Sequence, residues 1–209
     1  MVYLVTNQQE LFGRSEYKII SAQESLQIMQ NWKLGQLDSE TTGRDAHLCD
    51  LLSVQFGNDA ADIRIVVDTS TVDISLYKEV LESKLWILHN AKFDLQFFFK
   101  HGIIIRKVYD TMICEQLLHL GWPAGKISYA LNSVAWQRLH INIDKTVRGE
   151  IIWRGLDTAT VLYGAGDVTY LEKIMWSQVE DLKKLNMMNA ARLECDFIPS
   201  LANTDRKNV

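Results

Sequence analysis

Two acidic residues near the start of the chain have a spacing that suits metal chemistry. Asp38 and Glu40 are two residues apart in LDSETTG, so both side chains point to the same face if this segment is a strand. Like charges on one strand face are unfavourable unless something compensates them. Mg²⁺ and Mn²⁺ can do so, because hard divalent cations prefer carboxylate and phosphate oxygens. The pair therefore indicates either a metal site or a solvated acidic turn before Gly43.

A third acid stands in an apolar environment. Asp94 lies in HNAKFDLQFFF, among phenylalanines and directly after a run that we expect to be a buried strand. These neighbours favour a place in a functional site over a place on the surface. The alternative is an aspartate that sits early in a helix because the helix dipole stabilises negative charge there.

A tyrosine and a fourth acid share one helix face. Tyr163 and Asp167 are four residues apart in YGAGD, one turn from each other on a helix. The small residues between them leave space for another backbone or a substrate, and the two glycines reduce helix stability. The alternative is a core tyrosine with an aspartate at the solvent edge.

The surrounding pattern predicts the elements that position these residues. Short β-prone runs open the chain, and Ser21 followed by Glu24 has the form of a capping box at the start of a helix. Three β-rich runs then resemble an antiparallel meander, and a β-α alternation follows, which predicts a mixed sheet. After Asp110 the chain is mostly helical, with a last helix over about 158–185. The predicted segments are Val2–Val5, Tyr17–Ile20, SAQESLQIMQNW, Leu34–Glu40, LLSVQFG, IRIVVDT, LYKEVLES, LWILH, NAKFDLQFFFKHG, TMICEQLLHL and SYALNSVAWQRL.

Composition sets limits on the function. The chain has 209 residues, enough for one α/β domain with a substantial core, and a formal net charge of −4. That charge argues against a broad basic surface for long duplex, because such binding neutralises many phosphates with Lys and Arg. Three distant cysteines lack zinc spacing and predict reduced thiols. We expect a cytoplasmic protein, since the start lacks a signal-peptide pattern and no stretch approaches the ~20 apolar residues of a membrane span.

Taken in order, LDSETTG, HNAKFD and YGAGD resemble the three motifs of the DEDD superfamily of 3'-5' exonucleases. Because the last motif carries Tyr163 and not His, the chain looks like a member of the Tyr branch, which includes RNase D, the Werner-type exonucleases and the proofreading domains of family A DNA polymerases. DSETTG, HNAKFDL, VYDT and INIDK resemble the polymerase-type domains most. The resemblance spans roughly residues 17 to 188, and the segment after Arg192 is similar to the start of a family A polymerase domain. We therefore expect an exonuclease domain over 1–192 and a C-terminal tail over 193–209.

The resemblance implies a ribonuclease H-like (DnaQ-like exonuclease) fold, with a mixed five-stranded sheet flanked by helices. It also implies a mechanism with two divalent ions, Mg²⁺ or Mn²⁺. By motif position, Asp38 would bridge the ions, Glu40 and Asp167 would complete the water-side ion, and Asp94 would hold the second ion partly through water. Tyr163 would orient the attacking water together with Glu40, a role that does not require an ionised phenol.

Substrate contacts are expected around these motifs. Thr41 and Thr42 could present donors to the terminal nucleotide, or could be turn residues before Gly43. Arg44 stands where the family often has an apolar residue that contacts the terminal base, and we expect it to pair with phosphate or to stack there. The other candidates are Asn90 and Phe93 in the second motif, and Lys145 and Arg148 in a basic connection whose alternative is a solvated loop.

The expected function is hydrolysis of DNA 3' ends to nucleoside monophosphates, in proofreading or other DNA processing during replication. The expected partners are single-stranded DNA or a frayed 3' end, and a DNA polymerase or replication assembly, with no membrane and a monomeric chain. A polymerase-like exonuclease without its polymerase would fit a virus of bacteria, and the location would then be the host cytoplasm. The alternatives are an RNase D-like exoribonuclease, a non-catalytic nucleic-acid-binding module, and a structural role in a replication assembly.

Overall fold

A computed structural model describes residues 1–8, 16–123, 125, 127–143 and 155–207. Over these residues the sheet has seven strands in the order β2-β1-β5-β4-β3-β6-β7. Strand β4 is antiparallel to both of its neighbours, β3 and β5, and the other neighbouring pairs are parallel. The strands are β1 (Val2–Val5), β2 (Lys18–Ile20), β3 (Leu34–Thr41), β4 (Leu51–Asn58), β5 (Ile63–Asp68), β6 (Leu85–Leu88) and β7 (Val108–Asp110).

The mixed α/β architecture is confirmed, but the sheet is wider than the five strands that we expected. Five strands, β5-β4-β3-β6-β7, contain the predicted meander and the β-α alternation. The two β-prone runs at the start of the chain extend the sheet, because β1 pairs in parallel with β5 and β2 pairs in parallel with β1. This extension adds buried Leu4 and Val5 to the two faces of the sheet.

Helices cover both faces of the sheet. Helix α1 begins at the predicted capping box, in which Ser21 and Glu24 bond each other's backbone. Helix α3 ends before Gly102, whose φ of 70° terminates it. Among the described residues, no helix combines the length and hydropathy that a membrane crossing needs. The helices are α1 (Ala22–Gln30), α2 (Lys78–Ser83), α3 (Ala91–Lys100), α4 (Thr111–Leu118), α5 (Leu131–Leu139), α6 (Thr158–Asp167), α7 (Leu171–Lys184) and α8 (Met188–Lys207), with a 3₁₀ turn at Ile74–Tyr77.

The two faces of the sheet differ in polarity. Leu37, Val54 and Phe56 point to one face, where they form the main core with residues from α1, α2, α3 and α8. The alternate residues of the same strands, such as Asp38 and Gln55, point to the face that α6 covers. This second face has two smaller apolar clusters, one around Val66 and Val161 and one around Ile87 and Leu171, and is otherwise rich in polar side chains. The polar face is the one on which a site can be built.

Two segments near the C-terminus depart from the sequence prediction. The helix predicted over 158–185 is two helices, α6 and α7, separated by residues 168–170, where Arg64 of β5 donates to Thr169. The boundary predicted between residues 192 and 193 falls inside α8, which packs against α3 and β7. Cys195, Ile198 and Ala202 of this helix are buried, so residues that we expected to form a tail contribute to the core.

Candidate metal centre

Three carboxylates from two elements come together on the polar face. Asp38 and Glu40 lie on β3, and Asp167 is the last residue of α6. One carboxylate oxygen from each lies within 4.8 Å of the others. Carboxylate oxygens in such a group are the donors that hard divalent cations prefer. The residues therefore fit a divalent metal ion, and they include three of the four ligands that the sequence indicates.

Small residues let α6 approach the sheet at this point. A Cβ placed at Gly164 would lie 3.0 Å from Cγ and Nε2 of Gln55. Gln55 is the β4 partner of Asp38, so this close approach brings α6 directly beside the strand position that carries the acid. At Gly166 a Cβ would meet no described heavy atom within 4 Å. Of the two glycines, Gly164 serves helix packing, whereas a side chain at Gly166 would point into open space.

Tyr163 lies one turn before Asp167 on α6 and is half-buried. The helix begins at Asp157, whose side chain accepts a hydrogen bond from Thr160 N at 2.9 Å. Residues four apart on a helix are neighbours on one face. The phenol and the Asp167 carboxylate therefore project from the same side of α6.

Asp94 lies beside this group rather than within it. It is 3% exposed on the first turns of α3, and Ser39 Oγ donates to its Oδ1 at 2.6 Å. Ser39 stands between Asp38 and Glu40 on β3, so Asp94 is joined to the same strand end through a neighbouring residue. The pKa of Asp94 is raised to about 7, chiefly by burial and also by the charges of Asp110 and Glu40, while the Ser39 hydrogen bond opposes the shift.

Asp110 is a buried acid whose part in the site the sequence reasoning missed. Its carboxylate accepts from four backbone N–H groups, those of Asn90 at 3.0 Å, Ala91 at 2.7 Å, Met112 at 2.8 Å and Ile113 at 3.3 Å. It therefore caps α4 and also holds the start of α3, the helix of Asp94. Burial raises the pKa of Asp110, and the four N–H groups oppose that shift. An aspartate between a strand and a helix in VYDT was the available signal.

The predicted substrate-contact residues are placed in different ways. Thr41 Oγ1 donates to Gly43 O at 2.7 Å and Thr42 Oγ1 accepts from Asp50 N at 2.9 Å, so both hydroxyls shape the turn after β3. Arg44 in that turn is exposed. In the second motif, Asn90 is exposed with a φ of 67°, and Phe93 is half-buried with its ring 5.2 Å from that of Phe97. Lys145 and Arg148 lie outside the described residues.

Curated relatives of this chain act on nucleic acids, according to their names. DNA polymerase I of Aquifex aeolicus is 27% identical over 186 residues, which are 86% of this chain and 29% of the relative. Ribonuclease D of Sphingobium indicum is 26% identical over 176 residues, which are 82% of this chain and 44% of the relative. The chain thus spans less than half the length of either protein.

Solved structures show the same fold. NrnC of Brucella melitensis superposes with a TM-score of 0.76 at 19% identity, covering 99% of this chain and 94% of that one. NrnC has also been solved with Mg²⁺ and with pGG. RNase D of Escherichia coli gives a TM-score of 0.73 at 22% identity, covering 89% of this chain and 48% of that one. The chain therefore has the ribonuclease H-like fold of these nucleases.

The match to a family model covers the elements that build the site. The model describes 3'-5' exonucleases and matches residues 18–180, a span that contains β3, α3 and α6. The three acid-bearing segments, the fold and this match agree, so the chain belongs to the 3'-5' exonuclease family of hydrolases and to the DEDD group within it.

Proposed function

We propose that the chain removes nucleotides from DNA 3' ends, by hydrolysis that depends on two divalent ions held by Asp38, Glu40, Asp94 and Asp167. The observation that carries the proposal is the meeting of three carboxylates from β3 and α6 within 4.8 Å of one another. An anionic phosphodiester is repelled by such a group unless cations stand between them. The same divalent cations would therefore bind the three carboxylates and offset the negative charge of the phosphodiester.

Each residue has a separate part in the proposed reaction. Bound divalent ions would polarise the phosphate and lower the pKa of water. Asp38, Glu40 and Asp167 supply oxygens that would hold such ions, and Asp94, bonded to Ser39 beside this group, would hold the second ion partly through water. Tyr163 offers a hydroxyl one turn from Asp167, where it can hold the attacking water in line with the phosphorus.

The strand end is surrounded by residues that suit a terminal nucleotide. The turn after β3 exposes Thr42 and Arg44, and the start of α3 carries exposed Asn90 and half-buried Phe93. An aromatic ring can stack on a base, and a guanidinium can pair with phosphate or stack. We propose that these residues, with Thr41, Lys145 and Arg148, hold the last nucleotides of the strand.

Replication is the setting that we propose, with proofreading or other DNA processing as the task. The relative named DNA polymerase I supports it. The proposal includes a single strand or frayed 3' end as substrate, a polymerase or replication assembly as partner, a monomer, and a C-terminal segment over 193–209 that is related to a polymerase start. Sedimentation of the purified chain with and without a family A polymerase tests the monomer and the polymerase partner together.

RNA is the second candidate substrate, and a specific observation favours it. One relative is named ribonuclease D, and the NrnC structure with a ligand contains pGG. Both substrates have the phosphodiester that the acids would act on. The 2'-hydroxyl distinguishes them, so contacts to the sugar decide between DNA and RNA.

The test is digestion of matched 5'-labelled DNA and RNA strands with Mg²⁺ or Mn²⁺, using wild type, Asp38→Ala and wild type with EDTA. Shortening of the DNA from its 3' end, lost in both controls, is the expected result. Preferential shortening of RNA would replace the first candidate by the second. Folded protein that binds the strands but shortens neither would contradict catalysis and favour the binding-module alternative.

Tyr163→Phe tests the water-positioning role. We expect kcat to fall by roughly 10- to 100-fold, because small displacements of a reacting group have effects of that size. Mn²⁺ affinity should not change, since the phenol is not one of the oxygens that hold the ions. Tyr3→Phe on β1 is a matched control, because Tyr3 packs against the main core on the other face of the sheet. Full activity in Tyr163→Phe would exclude the role.

A further inference from the structure

A buried polar network ties the turn after Asp167 to the sheet. We propose that this network, the Arg64 clamp, consisting of Gln36, Asp59, Arg64 and Thr169, positions Asp167 for metal binding. Its members are positioning residues, since none belongs to the group of three carboxylates. The inference deepens the proposed function and rests on it, because it concerns how the metal-binding geometry is held.

Arg64 is the centre of the clamp. Its side chain is 9% exposed, and its NH2 donates to Asp59 Oδ1 at 2.6 Å. Toward α6 and α7, Nε donates to Thr169 Oγ1 at 3.2 Å and NH2 donates to Thr169 O at 3.3 Å. NH1 donates to the backbone carbonyls of Asn58 and Ile63. Every guanidinium nitrogen thus has a partner, and the planar group can adopt few other orientations.

Thr169 transmits this constraint to the acid. It lies two residues after Asp167, in the turn between α6 and α7, and its hydroxyl donates to Ala165 O at 2.7 Å. Asp167 is the final residue of α6, so its carboxylate moves with the end of that helix. By holding Thr169 through both hydroxyl and carbonyl, Arg64 determines where the helix ends relative to β5.

Gln36 links the same turn to the strand of the other acids. It lies on β3 two residues before Asp38, so both side chains point to the polar face. Its Nε2 donates to Asp59 Oδ1 at 2.8 Å, and its Oε1 accepts from Glu172 N, in the first turn of α7, at 3.2 Å. The turn is therefore held on both sides, at Thr169 and at Glu172, by residues that share Asp59.

A glycine provides the space that the clamp occupies. Gly57 of β4 lies between Gln36 and Arg64 in the register of the sheet. A Cβ at this position would lie 3.2 Å from Arg64 Cδ, 3.2 Å from Val168 Cγ2 and 3.3 Å from Gln36 Cβ. These contacts are tight on three sides, so even a methyl group would displace the arginine or the turn.

A second arginine network supplies a matched control. Arg138 of α5 has a side chain that is 11% exposed, and it pairs with Glu115 of α4 and Asp181 of α7. It is similar to Arg64 in burial and in the number of its hydrogen bonds, but its partners among the described residues, Glu115 and Asp181, are not part of the turn at 167–169. A change that acts only through stability should therefore affect both arginines alike.

The experiment compares Arg64→Lys, Thr169→Val and Arg138→Lys. Mn²⁺ binding is measured without nucleic acid by electron paramagnetic resonance, together with Tm in EDTA and steady-state hydrolysis of single-stranded DNA. We expect the Kd for Mn²⁺ to rise about 10-fold or more in the first two variants, as for other residues that orient ligands. KM for DNA should stay near wild type while kcat falls at low Mn²⁺. Arg138→Lys should lower Tm and leave the Kd for Mn²⁺ unchanged.

Several outcomes would overturn the inference. One is wild-type Mn²⁺ affinity in folded Arg64→Lys and Thr169→Val, and another is an equal loss of affinity in Arg138→Lys. If Arg64→Lys does not fold, Mn²⁺ affinity can still be compared between Arg138→Lys and two milder variants of the clamp. Thr169→Val removes one hydroxyl, and Gly57→Ala adds one methyl group. Failure of the proposed function is distinguishable because it would be seen in wild type, which would then hydrolyse no DNA, whereas failure of this inference would be seen only in the comparison of Mn²⁺ affinities between variants.

Discussion

Two regions of the molecule gather acidic side chains, and they treat the charge in opposite ways. Between α4, α5 and α7, Glu115 and Asp181 share Arg138, at 2.8 Å and 2.5 Å. On the polar face of the sheet, Asp38, Glu40 and Asp167 face one another within 4.8 Å. The first arrangement neutralises itself and stabilises the packing of three helices. The second places like charges together, and a divalent cation that binds there would offset their mutual repulsion.

Asp38→Asn should have the largest effect on activity and little adverse effect on stability. Hydrolysis should fall by more than about 100-fold, since even residues that only orient metal ligands typically contribute 10–100-fold. In EDTA, Tm should stay at the wild-type value or rise, because the change removes one of three mutually repelling charges. Exonuclease assays and thermal melts check the two parts. A large fall of Tm in EDTA would mean that the two acid regions do not differ in the way described.

Arg138→Met should show the reverse pattern. Glu115 is 1% exposed, so loss of its arginine would leave a buried carboxylate whose remaining partners among the described residues are Gln178 and His119. Breaking a buried pair in this way costs about 3–5 kcal/mol. Urea unfolding measures the loss, and activity per folded molecule should persist. Arg192→Met is the control, because Arg192 pairs with Asp196 on the surface, where such pairs contribute about 0–1 kcal/mol.

Asp110→Asn tests a third way of burying an acid. At this position backbone N–H groups, and not an arginine or a metal ion, compensate the buried negative charge. The amide can accept from fewer of the four donors, so we expect a loss of about 1–3 kcal/mol. Hydrogen exchange should accelerate at the amides of residues 90, 91, 112 and 113. Asp73→Asn, at an exposed cap that serves Ser75, is the control. Unchanged exchange at those four amides would remove Asp110 as the support of α3.

Features that depend on neighbours along the chain were accessible from the sequence. The capping box at Ser21 is made by residues three positions apart, and alternation alone places Asp38 and Glu40 on one face. The meander from β3 to β5 is likewise a local pattern, since each strand pairs with the next. Fold class then followed from the resemblance.

Features that depend on distant partners were not accessible. The break between α6 and α7 occurs where Arg64 bonds Thr169, 105 residues away in the chain. Asp110 receives N–H groups from residues 19 and 20 positions earlier, and a sequence pattern does not specify such a pairing. The two glycines of YGAGD also looked equivalent, although only Gly164 packs against the sheet. Tertiary contacts determine the helix break, the partners of Asp110 and the different roles of the two glycines, so residue propensity and motif spacing do not predict them.

The last prediction is a pH dependence that separates the two regions in the metal-free protein. The pKa of Asp94 is raised from 3.8 to about 7, chiefly by burial. Because the pKa is higher in the folded than in the unfolded protein, the folded state binds this proton more tightly. The resulting stabilisation is fully present below pH 3.8, the ordinary pKa, and is lost as the pH rises through 7, the pKa in the folded protein. In EDTA the free energy of unfolding should therefore decrease between pH 5 and pH 8, with a limiting slope from this group of about 1.4 kcal/mol per pH unit.

The same pH range should leave the arginine network unaffected. The pKa of Asp181 is lowered by hydrogen bonds to Lys184 and Arg138, so its contribution is present above pH 3.8 and lost only on further acidification. Asp94→Asn removes the carboxylate whose charge is unfavourable in the folded state. The free energy of unfolding of this variant should exceed that of wild type at pH 8, and the two values should converge toward pH 5. Urea titrations of both proteins at several pH values in EDTA measure the difference. Equal slopes would mean that burial of Asp94 does not penalise its charge, and that the carboxylate is already compensated before any metal binds.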